Sequence, residues 1–195
     1  MTATTHVFTP CLMLSLEQRY HSCHIQLPDS HERVAAIALD QEYYSLFQVV
    51  AEPGQAIDMA VRLGKRGERV ALRQLPIGKY GLWVKEENAR PTRSFHLMNQ
   101  NRRYQAKPAS CYIITSHEDC KSVKITVPDL DQSLSAICFQ DRYYSIFKPK
   151  AMADQTIMLT AKLVQRGDEI VILALPDQAP HYTVCVIEPD AEPLG

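Results

Sequence analysis

The sequence predicts an α+β protein: a tandem duplication of a small, mostly antiparallel unit with one helix (β-β-β-α-β-β), packed as a pseudo-two-fold pair. Three observations predict it. Residues 11–76 overlie 111–176 at a constant offset of 100 without a gap, and 19 of those 66 positions are identical. Most segments alternate apolar and polar residues with period two. One segment in each copy, Pro53–Gly67 in the first, changes to helical spacing.

The elements follow in order. The apolar run "CLMLSL" from Cys11 adds a candidate first strand. In "CHIQL" Cys23, Ile25 and Leu27 form an inward row with His24 and Gln26 outward, matched by Val123, Ile125 and Val127 in "VKITV". "VAAIAL" and "YYSLFQVV" flank Asp40-Gln41-Glu42, a polar break between two β-prone runs that reads as a hairpin. Asp58, Arg62, Lys65 and Arg66 form one polar helical stripe, with Ile57, Met59, Ala60 and Leu63 on the other side. Asp154 is the expected N-cap of the second helix, and Gly67 and Gly167 suit the left-handed residue that ends each helix. "ERVALRQL" and "YGLWVKEE" complete the first unit as strands. After Pro76 and Pro176 the second copy gains two residues, so Tyr80–Ala89 corresponds to Tyr182–Ala191.

The units span 11–88 and 111–192, with a linker at 89–110. One helix cannot cover such a sheet, so each unit is expected to cover spare sheet surface of the other. "YYSLF" and "YYSIF" place apolar groups on both faces, as expected of a central strand covered on both sides. Tyr44 and Tyr144 would be partner-binding residues only if exposed.

Composition narrows the function classes. A net charge of −1 supplies no global field toward nucleic acid or a membrane. The N-terminal residues show neither a basic nor a sustained apolar signal region, and no apolar run is long enough for a membrane span, so a cytoplasmic location is expected. The six cysteines then stay reduced, and none forms a C-x-x-C pair.

The candidate sites are weighed against their corresponding residues. His21, Cys23, His24 and His31 lie close in sequence, but neighbours on a strand point to opposite faces, and the second copy has Lys121, Val123, Lys124 and Asp131 there. No metal and no cofactor is predicted. "RGD" at Arg166–Asp168 corresponds to Arg66-Gly67-Glu68, and helix termination accounts for both. Cys11, Ser45, Cys111 and His117 lack a nucleophile elbow or phosphate loop around them, so no catalytic residue is assigned. The linker carries Arg90, Arg93, Arg102, Arg103 and Lys107 without an acid, leaving −6 on the rest of the chain. Phe95 and Tyr104 lie among these bases, and the combination suits phosphate contact with base stacking or an acidic protein surface.

The segments "QRGDEIVIL" and "VCVIEPDA", with "YGLWVKEENA", resemble uncharacterised small soluble proteins of cyanobacteria. The similar part is the helix end and the last two strands of each copy. The resemblance implies a cytoplasmic protein without assigned activity, in assembly or regulation around photosynthesis or carbon fixation, and transfers no functional residues. The expected function is a non-enzymatic adaptor or assembly factor that binds a protein, as monomer or homodimer. The alternatives are RNA binding through the linker, or a small-molecule sensor or enzyme with a site between the units.

Overall fold

The computed structural model describes residues 8–17, 20–28, 32–92 and 108–194. The first half contains β1 (Thr9–Leu14), β2 (His21–Gln26), β3 (Arg33–Leu39), β4 (Glu42–Val50), α1 (Pro53–Gly64), β5 (Val70–Gln74), β6 (Tyr80–Glu86) and β7 (Arg90–Pro91). The second contains β8 (Cys111–Ile114), β9 (Lys121–Thr126), β10 (Leu134–Phe139), β11 (Arg142–Ala151), α2 (Ala153–Arg166), β12 (Ile170–Leu173), β13 (Tyr182–Ile187) and β14 (Glu192–Pro193). Among the described residues the protein is α+β, with two α-helices on a mostly antiparallel mixed sheet.

Local sequence accounts for these elements. The β3–β4 hairpin turns on Asp40 and Gln41 at φ of 45° and 66°, and the β10–β11 hairpin on Gln140 and Asp141 at 51° and 58°. Two consecutive left-handed residues match the strand twist of a tight hairpin. Pro53 opens α1, where the missing N–H is harmless. Ala56, Ile57, Ala60, Val61 and Leu63 form its buried stripe, while Asp58 and Arg62 face water. Gly67 (φ 89°) and Gly167 (φ 104°) turn the chain off both helices. The amide of Glu68 donates to Leu63 O at 3.2 Å, and that of Asp168 to Leu163 O at 3.1 Å. The cap expected at Asp154 is instead Met152, which makes no side-chain cap bond; Asp154 lies within the first turn, where its charge favours the helix dipole.

The described strands join one sheet, ordered β14-β9-β10-β11-β13-β12-β8-β1-β5-β6-β4-β3-β2-β7. At its centre β1 and β8 run antiparallel, with Thr9 opposite Ile113 and Pro10 opposite Tyr112. β1 is parallel to β5 and β8 is parallel to β12. The two edges, β7 and β14, are two-residue strands that each contain proline, Pro91 beside Ile25 and Pro193 beside Ile125. Proline donates no backbone hydrogen bond, so it limits further strand addition there.

The halves therefore meet edge to edge, and the cover one gives the other's sheet face comes from the second helix, which reaches across the seam onto β1 and β5. The open edges of β1 and β8 supply mutual partners for backbone groups that would otherwise need water. Both helices share one core that spans the seam: Ala56, Ile57 and Ala60 from α1, Ile157, Ala161 and Val164 from α2, and Cys11, Met13, Cys111 and Ile113 beneath them. The opposite face carries separate clusters, one around Tyr44 and Trp83 and one around Tyr144 and Phe139.

Several differences between the halves occur in matched pairs. The Trp83 indole lies over Gly81, where a Cβ would come within 2.4 Å of the ring; the corresponding residues are Cys185 and Thr183. Thr9 occupies the space beside Gly64, where a Cβ would sit 2.1 Å from its methyl. The corresponding residues are Ala109 and Val164, and there the smaller Ala109 sits close enough to bond its amide to Val164 O at 2.9 Å.

Candidate functional site

Tyr44 and Tyr144 lie in the core, 2% and 1% exposed, so the condition for a partner-binding role fails. Each hydroxyl finds a carboxylate. Tyr44 donates to Glu42 Oε2 at 3.0 Å, and Tyr144 to Glu169 Oε1 at 2.5 Å. Burial is the main cause that raises both phenol pKa values, and the adjacent carboxylate adds to it. Beside them Ser45 donates to Glu86 Oε1 at 2.5 Å and Ser145 to Glu188 Oε1 at 2.6 Å. These groups satisfy one another along β4, β6, β11 and β13, which makes them structural.

The rest of the strand departs from the expectation of two covered faces. Leu46, Phe47 and Val49 are exposed on β4, and Ile146 and Phe147 on β11. The register explains it. Leu46 pairs with Trp83 and Gln48 with Leu82, so Phe47 is an extra residue in a β-bulge. Ile146 pairs with Cys185 and Lys148 with Val184, which leaves Phe147 extra in the same way, and a second irregularity follows before Ala151. Lys150 there has φ of 50°. Phe47 and Phe147 are 51% and 54% exposed. Sequence reasoning missed them because an apolar residue inside an apolar run reads as core. The signal was Pro149, which cannot serve a regular ladder.

The basic residues fall in different places. Arg90 is exposed in β7 beside Gln26. Arg93, Phe95, Arg102, Arg103, Tyr104 and Lys107 lie outside the described residues, as does His31. The short β7 shows that the linker's first residues pair as strand, although two residues are too few to display a period.

Among the described residues, no group of three His, Cys, Asp or Glu side chains is placed to hold a metal. Cys23 is buried and His24 exposed, as the strand alternation predicted. Burial pushes the thiols of Cys11 and Cys185 up to about 12 and Cys23 up to about 11, and raises Cys111 well above its usual value. Such groups remain protonated at neutral pH and are poor nucleophiles. His117 Nε2 lies 3.0 Å from Asp177 Oδ1, with both side chains mostly in water. Among the described residues, no helix is long and apolar enough to cross a membrane.

A shallow cleft of about 140 Å³ opens at the seam, lined by Pro10, Leu12, Tyr44, Arg69, Ser110 and Tyr112 among others. Cys11, Val70 and Cys111, which also belong to the helix-side core, line it as well. No protein-family model, curated protein or solved structure matches this chain.

Proposed function

We propose that the chain is a non-enzymatic adaptor or assembly factor, built from two duplicated units related by a pseudo-two-fold axis, that binds a protein partner. The duplication is supported by the identical positions in sequence, by the mirrored strand order and by the matched substitutions at Gly81 and Trp83 and at Thr9 and Gly64. The single observation that carries the binding role is the pair of identical phenylalanines, Phe47 and Phe147, each more than half exposed on a strand bulge. Each ring is about half exposed, so covering it recovers about 1 kcal/mol, which favours a partner that covers both. The rims differ: Gln48 and Glu52 flank the first, Lys148 and Lys150 the second. The partner therefore presents two apolar sockets, the second edged by acidic groups. By the resemblance of its strand segments, the setting is assembly or regulation in the cytoplasm around photosynthesis or carbon fixation.

The test isolates a partner on the tagged full chain and measures its affinity for the wild type, Phe47→Ser, Phe147→Ser and the double variant. Loss of binding in the double variant with an unchanged fold supports the proposal. A bound component that proves to be RNA, with affinity falling by several charges' worth of salt slope, favours the basic linker as the site instead.

A further inference from the structure

The two sides of the seam differ on the face away from the helices. Tyr112 of β8 stands where Leu12 of β1 stands in the first half. The Tyr112 ring packs against Phe139 at 5.5 Å and Phe8 at 5.7 Å between ring centres, and Phe139 packs in turn against Tyr144 at 6.1 Å. Leu12 is shorter and branched. Beside it, against Tyr44 and Arg69, the cleft of about 140 Å³ remains open. One half thus holds a phenol ring of its own near Tyr144, and the other holds an open space beside the corresponding Tyr44, closed across the seam by Ser110 and Tyr112.

We propose that this cleft is a binding site for a single phenolic ring, seated on Pro10 and Leu12 with its hydroxyl directed toward Tyr44 and Arg69. The inference rests on the correspondence of the halves put forward above. An interior of this size admits one ring and little more. The face of the ring replaces water on Leu12 and Pro10, and the hydroxyl meets a charged, hydrogen-bonding rim. The ring could come from a free phenol or from a tyrosine side chain of a partner, and the chemistry is the same.

The experiment titrates p-cresol, cyclohexylmethanol and N-acetyltyrosine amide into the full chain, followed by NMR shifts of the backbone near Leu12, Tyr44 and Tyr112. Leu12→Tyr fills the cleft from within, and Ser110→Phe blocks it from the opposite strand. The expected result is saturable p-cresol binding about tenfold or more tighter than cyclohexylmethanol, and abolished by both variants. Tighter binding of the tyrosine derivative assigns the ring to a partner side chain, and weaker binding assigns it to a free phenol. Absence of p-cresol binding, equal binding of the cyclohexyl compound, or full binding in both variants overturns the proposal. The melting temperature of Leu12→Tyr reports separately on the correspondence: unchanged or raised if the ring fits as Tyr112 does, lowered if it does not.

Discussion

Arg142 donates from Nη1 to Glu169 Oε1 at 2.6 Å, and the residues that correspond to them, Glu42 and Arg69, carry the opposite charges and still pair, at 3.7 Å. The buried tyrosine follows the carboxylate. Tyr44 bonds to Glu42 on its own strand, whereas Tyr144 reaches Glu169 beyond the helix. Lys85 also binds Glu42 at 2.8 Å, while Ile187 holds the corresponding place. Charge, partner and tyrosine hydrogen bond have thus been exchanged together.

The first prediction reverses that exchange in the second half, where no lysine complicates it. Arg142→Glu alone places two carboxylates at the Tyr144 hydroxyl and should destabilise the protein by about 1 kcal/mol, since the arginine is half-exposed and screened. Arg142→Glu with Glu169→Arg gives Tyr144 a carboxylate at 142, as Tyr44 has at 42, and should recover most of the loss. Urea unfolding of the singles and the double measures the coupling, and strict additivity contradicts the exchange.

A second prediction concerns Trp83. Gly81→Ala forces the indole off Gly81 and should cost about 1–3 kcal/mol. Gly81→Thr together with Trp83→Cys copies the pair at Thr183 and Cys185 and should be more stable than Gly81→Thr alone. Thermal unfolding decides between recovery and a further loss.

The tyrosines also predict alkaline behaviour. Tyr44 and Tyr144 hold their protons more tightly when folded than the usual 10.0, through burial first and their carboxylates second. A raised folded pKa means the unfolded chain releases the proton first, so stability is full below pH 10 and falls as pH rises above it. Each tyrosine contributes a slope of at most about 1.4 kcal/mol per pH unit. Denaturation followed from pH 9 upward should show a shallower decline in Tyr44→Phe with Tyr144→Phe than in the wild type.

Thiol accessibility gives a fourth prediction. Cys11, Cys23, Cys111 and Cys185 are buried, whereas Cys120 and Cys138 are half-exposed. Ellman's reagent at pH 8 should modify the latter two in the native protein and all six cysteines after unfolding. Rapid native modification of Cys11 or Cys111 would contradict their burial in the core beneath the helices.

Much of the local structure was legible in the sequence. The outward His24 beside inward Cys23, the polar Asp40-Gln41 turn and the α1 stripe each follow from side-chain periodicity, which one residue's type reports directly. The join between halves was not legible, because an open strand edge is a backbone property and Cys11 and Cys111 read only as core. The exposure of Phe47 and Phe147 depends on one extra residue per strand, which shifts register without changing composition. Asp154 was placed two residues from the true cap because Met152 offers no capping group to recognise. Most of the predicted basic site falls outside the described residues, so only Arg90 of it has a place in the fold.

The adaptor role is tested most directly by the affinity of one purified protein partner for the wild type, Phe47→Ser, Phe147→Ser and the double variant. Both side chains are exposed, so each substitution should change stability by no more than about 0.5 kcal/mol. The account predicts weakened binding in each single variant and a much larger loss in the double, as two linked contacts require. Wild-type affinity in the folded double variant would contradict it.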